Sequence, residues 1–133
     1  MEAIKSHIAT LDDSSDVAAQ VAAAETLSSL AEAAQPAIVS LVKHSGSDNE
    51  DLCNWCTSAL ESIGPPAAGQ IEELATLVSS ANANVAFWAI TLLGRAGNAA
   101  GSAKPALVAR SEDDSLPEVQ QRASWALGKL NTD

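Results

Sequence analysis

Cys53 and Cys56 form the sequence's most chemically suggestive pair, a C-x-x-C of the kind that serves elsewhere as a redox dithiol or as half of a zinc site. Zinc needs two further ligands at set spacing, and the chain offers only His7 and His44 outside this pair, with no second pair of cysteines. Redox dithiols follow a strand at the start of a helix, whereas the residues around Cys53 carry no strand pattern. The expectation is therefore a small buried residue at Cys56, an exposed thiol at Cys53, and no bound metal. Acids come in runs, at Asp12, Asp13 and Asp16, at Asp48, Glu50 and Asp51, and at Glu112, Asp113, Asp114 and Glu118. None has the spaced D-x-D-x-D-G loop with a distal glutamate that calcium requires. Glu72 and Glu73 are adjacent on a helix-patterned segment and diverge, so they make no acid/base pair. No G-x-S-x-G turn, H-E-x-x-H or phosphate-binding glycine loop occurs, and there is no tyrosine, so no catalytic residue is assigned and no cofactor is expected.

The elements that position these residues follow from composition and repetition. Hydrophobic residues make up 47% of the 133 and charged residues 18%, enough apolar surface for one folded domain over residues 1–133. Only four residues are aromatic, Trp55, Phe87, Trp88 and Trp125, and alanine dominates the apolar set, which suits close helix packing rather than a sheet. Seventeen acids against seven bases give a net charge of -10, a field that repels nucleic acid and anionic membranes. The N-terminal segment lacks a signal-peptide core, and the long uncharged run from Leu74 to Gly94 is interrupted by Ser79, Ser80, Asn82 and Asn84, so no membrane segment is expected. With two cysteines and no export signal, the cytoplasm is the expected compartment.

Laying the segment from Leu52 over that from Val85 puts Trp55 on Trp88, Cys56 on Ala89, Leu60 on Leu93 and Gly64 on Gly97, an offset of 33 residues. The same step backwards reaches Ala19, Ala23, Thr26, Leu27 and Leu30, and a step of 34 forwards reaches Val119, Ala123, Ala126, Leu127 and Gly128. A second apolar segment follows at the same offset, with Ile38 and Leu41 over Ile71 and Leu74, then Leu107. Positions 0, 4, 7, 8 and 11 of the first segment form one stripe of a 3.6-residue helix, so each repeat is two helices. The spacing predicts helices at 2–11, 16–31, 35–44, 49–63, 67–79, 83–96, 100–110 and 116–130. Asp12 to Asp16, Asp48 to Asp51 and Asn82 to Asn84 supply helix starts, Ser115 with Glu118 has the form of a capping box, and Gly64 and Gly97 supply stops. Trp125 replaces the polar Ser58 and Thr91 of the middle repeats, which marks it as an end cover or as an anchor for a partner or a second copy.

This pattern, V-x-x-x-A-x-x-(A/L)-L-G followed by A-x-x-x-I-x-x-L, resembles HEAT repeats, in particular the short HEAT-like repeats of phycobilin lyase subunits. Ser28 and Glu61 depart from it at the small glycine position, and Lys5 and Lys104 at an apolar one. The resemblance implies an all-α, right-handed α-solenoid of about four helix pairs, roughly eight helices, whose second helices line a concave face. On that face it points to Ser40, Lys43, Glu72, Glu73 and Thr76 as binding residues, with Trp125 at the end of the stack. The function it implies is a non-catalytic protein-interaction scaffold, monomeric or associating end to end, whose acidic edge suits a partner with a basic surface. Two alternatives come with the resemblance. One is an accessory, lyase-like subunit handling a bilin chromophore; the other is a HEAT-like nucleic-acid enzyme, against which the charge argues.

Overall fold

The structure, a computed structural model, describes residues 2–130, and among these residues it is helical with no strand. Two compact units divide the chain between Gly64 and Pro65. The first contains α1 (Glu2–Asp13), α2 (Val17–Leu30), α3 (Ile38–His44) and α4 (Glu50–Ile63). Within it α2 packs on α1 and α4, and α3 packs on α1 and α4. The second contains α5 (Ile71–Leu77), α6 (Ala83–Ala96), α7 (Lys104–Ser111) and α8 (Pro117–Leu130). There α6 packs on α5 and α8, and α7 packs on α5 and α8.

Alternate helices start by one recurring device. Asp16 accepts the Ala18 N–H at 3.0 Å, Asn49 the Leu52 N–H at 2.9 Å, and Asn82 the N–H groups of Asn84 and Val85 at 3.0 and 3.2 Å. Each satisfies donors that the first turn leaves without a helical acceptor. Two residues upstream, the hydroxyls of Ser14, Ser47 and Ser80 accept the N–H of Asp16, Asn49 and Asn82 at 3.0 to 3.1 Å and fix the turn into the helix. The fourth start differs from the expected capping box. Ser115 donates its N–H to Asp113 Oδ1 at 3.0 Å, and α8 begins further along, with the Leu116 carbonyl accepting from Gln120 at 2.9 Å. The extra residue in this connection, seen as the offset of 34, moves Ser115 out of the capping position.

The other helices, α3, α5 and α7, are each entered through a 3-10 stretch, Ala31–Ala37, Ala68–Gln70 and Gly97–Ala103. Their regular α portions therefore begin later than the periodicity predicts, since the first turn of each is wound as a 3-10 turn, a common form at helix N-termini. The core follows the apolar stripe closely in α4, α6 and α8, where Leu52, Cys56, Ala59, Leu60, Val85, Ala89, Leu92, Leu93, Val119, Ala123 and Ala126 are buried. In α2 the stripe is narrower: Ala23, Ala24 and Leu27 are buried, while Thr26 and Leu30 are exposed. Lys5 and Lys104 are exposed as well, and their neighbours Ile4 and Ala103 occupy the core.

Three chain reversals use a positive φ, at Gly64 (88°), Gly97 (59°) and Ala31 (50°). The three positions are spaced 33 residues apart, so Ala31 stands where the later repeats have glycine. With φ 50° and ψ -125°, its Cβ is held in a region that only glycine enters without strain, costing about 1–3 kcal/mol. Ala31→Gly relieves that strain and gives back about 0.4–1 kcal/mol through the looser unfolded chain. The expected net is a gain of about 1 kcal/mol, read as a thermal midpoint raised by roughly 3–5 °C. A lowered midpoint would show that the Ala31 backbone is not strained.

Candidate functional site

Cys56 is fully buried in the slot that Ala23, Ala89 and Ala123 occupy in the other repeats. Burial pushes its thiol up to about 12, with the neighbouring Cys53 adding to the effect, so it is a neutral thiol at physiological pH and a poor nucleophile or ligand. Cys53 is half-buried rather than exposed, and its Sγ donates to the Ser45 carbonyl at 3.1 Å. The same repeat position holds Gln20, whose amide donates to the Leu11 carbonyl at 2.9 Å, and Gln120, whose amide donates to the Ser111 carbonyl at 3.1 Å. Each residue ties its helix to a carbonyl at the end of the preceding one, satisfying an acceptor that a helix C-terminus leaves open. Cys53 thus does with a thiol what the glutamines do with an amide, and Cys56 fills a core slot that alanine fills elsewhere. Among the described residues no three His, Cys, Asp or Glu side chains converge as a metal site would require.

The residues expected on a binding face separate. Ser40 is buried, not solvent-facing, because α1 packs against that flank of α3. Its hydroxyl donates to Asp12 Oδ2 at 2.9 Å, and His44 Nε2 lies 3.4 Å from the other oxygen of the same carboxylate. Serine, histidine and aspartate thus meet, but the carboxylate is in the middle. Nucleophilic catalysis needs imidazole against the serine hydroxyl, and here that hydroxyl is held by the acid. The cluster ties α1 to α3 through Asp12, while Asp16 of the same run caps α2.

Lys43 is exposed on α3 in the first unit. Glu72, Glu73 and Thr76 are exposed together on α5 in the second, and the Thr76 hydroxyl donates to the Glu73 carbonyl at 2.7 Å. Among the described residues, Lys43, Glu72 and Glu73 form no ion pair. Asp113 accepts the backbone N–H and the hydroxyl of Ser115 and lies 3.9 Å from the largely buried Arg110, contacts that hold its carboxyl below the usual range.

Trp125 lies half-buried on α8, and its surroundings are not visible in the repeat pattern. The Arg122 guanidinium carbon lies 4.6 Å from the ring centroid of Trp125 and 4.6 Å from that of Phe87 on α6. The Lys129 ammonium lies 5.8 Å from the Trp125 ring, and Arg95 lies 5.8 Å from the ring of Trp88, which meets Phe87 edge-on. An open groove of about 400 Å³ is lined by Phe87, Glu118, Gln121, Arg122 and Trp125. The spacing of Arg122 and Trp125, three residues apart on one helix, is a sequence signal for a shared face. The approach of Phe87 from another helix has no such signal.

No protein-family model matches the sequence, and no curated protein matches it. Among solved structures, the chain is similar to a crystal structure of an engineered protein, a target of the Northeast Structural Genomics Consortium, with a TM-score of 0.62 and 23% identity. The match covers 98% of this chain and 62% of that one, so the chain spans under two thirds of its structural neighbour. At this identity the likeness extends to the helical fold alone. No described helix is long and apolar enough to cross a membrane.

Proposed function

We propose that this chain is a HEAT-like solenoid of helix pairs acting as a non-catalytic protein-interaction module, with the exposed sides of α3 and α5 as its binding surfaces. The observation that carries this reading is the state of the charged side chains there: Lys43, Glu72 and Glu73 are exposed and are not used to pair with one another or with the rest of the described chain. Recurrence of the serine-supported caps and of the ties at positions 20, 53 and 120 supports the repeat reading. The exposed acids Asp13, Asp16, Asp48, Glu50 and Asp51 favour a partner with a basic surface.

Cross-linked capture from the source cell, with wild type beside two charge-reversed variants, tests the reading. One variant carries Lys43→Glu with Glu73→Lys, and the other reverses Asp48, Glu50 and Asp51. Wild type should retain a specific protein. Loss with the first variant assigns α3 and α5, and a slower on-rate that salt mimics, through a Debye length of about 8–10 Å, assigns the acidic turn instead. Retention of that protein by both variants, or a complex with duplex DNA at low salt, would overturn the proposal.

A further inference from the structure

We infer that the groove on α6 and α8 is a carboxylate-binding site for a peptide segment of another protein, one carrying a single acidic side chain between apolar ones. This goes beyond the module reading, since it concerns a different face and a ligand of opposite charge. Arg122 is the central residue. Its guanidinium carbon lies 4.6 Å from the ring centroids of both Phe87 and Trp125, so two aromatic rings hold the cation in place. Glu118, one helical turn away, is well placed to pair with it, yet among the described residues Arg122 forms no ion pair and no hydrogen bond. In a chain with ten more acids than bases, a guanidinium held by two rings and without a carboxylate is a selective arrangement.

The chemistry of the groove defines its occupant. A guanidinium presents parallel N–H groups that match the two oxygens of a carboxylate, and its prior fixing by two rings reduces the ordering cost of that fork. Phe87 and Trp125 offer apolar surface for flanking leucine-like side chains, and Gln121 and Glu118 offer an amide and an acceptor for the peptide backbone. Glu118 also sets a limit. A dianionic phosphate, or a second acidic side chain, would meet its charge and the field of the whole chain, so a singly charged acid is the fitting ligand.

The test is an NMR titration of the intact protein with N-acetyl-Leu-Asp-Leu-amide, beside the Asn peptide and inorganic phosphate. The Asp peptide should shift the Trp125 indole and Arg122 Nε signals saturably below 20 mM, with the Asn peptide at least fivefold weaker. Arg122→Gln should abolish the difference between the peptides, and Arg122→Lys, which keeps charge and stem but loses the fork, should reduce it at least threefold. Equal binding of Asp and Asn peptides, tighter binding of phosphate, full affinity in Arg122→Lys, or no saturation would each overturn the inference. So would concentration-dependent self-association that Arg122→Gln removes, because the occupant would then be a second copy of the chain.

Discussion

Leu60→Ala and Leu93→Ala should each destabilise the protein by about 2–5 kcal/mol, a large effect for the loss of one side chain. Both leucines have no exposed surface, and they hold the same repeat position in α4 and α6. Truncation removes three buried carbons and leaves a space that neighbours such as Ala59, Cys56 and Ala89 are too short to fill. The loss is large against a total stability of about 5–15 kcal/mol for a domain of ordinary size. Urea unfolding followed by circular dichroism reads it as a lower midpoint at unchanged slope. Val108→Ala, on an exposed side chain, is the control and should stay within about 0.5 kcal/mol. A loss below about 1 kcal/mol at Leu93 would mean that its surroundings collapse freely, contrary to the packing described.

The helix starts at Asp16, Asn49 and Asn82 are legible in the sequence because capping is local: the acceptor and the N–H groups it satisfies lie within three residues. The buried stripes of α4, α6 and α8 are legible for a related reason, since helical periodicity reports a face without specifying what covers it. Ser40 shows where that stops. Its position on α3 marks it as polar and opposite the stripe, but only the packing of α1 brings Asp12 to its hydroxyl and takes the serine out of solvent. Cys53 fails differently, because a thiol standing in for an amide shares no residue type with Gln20 and Gln120, and only its contact with Ser45 reveals the common role. Arg122 escapes the repeat pattern because one of its two rings comes from another helix. The strained Ala31 is within reach of the sequence, since the glycines 33 and 66 residues later mark a reversal that alanine resists.

Gly94→Ala should destabilise the wild-type protein by about 1–3 kcal/mol, and the same substitution in a Trp125→Ala background should stabilise it by about 0.5–1 kcal/mol. Gly94 in α6 and Trp125 in α8 occupy the repeat positions that Ser28 and Ser58 hold in α2 and α4. In the first unit the two serines meet through a hydroxyl hydrogen bond at 3.1 Å. In the second, the partner side chain is an indole, and it fits only because the facing residue has no Cβ: one added at Gly94 would collide with Trp125 Cζ3 and lie 2.9 Å from Cη2. The ring cannot move off this contact without leaving Arg122 and Lys129, which lie against it. Without the indole the clash is gone, and what remains of Gly94→Ala is the better helix propensity of alanine, hence the change of sign. A double-mutant cycle by urea unfolding measures the coupling, and additivity within about 0.5 kcal/mol would show that Gly94 does not seat the tryptophan. The Trp125 indole resonance of the Gly94→Ala single variant, compared with wild type, joins packing to the proposed site, since a displaced ring would also remove one of the two surfaces that hold the Arg122 fork.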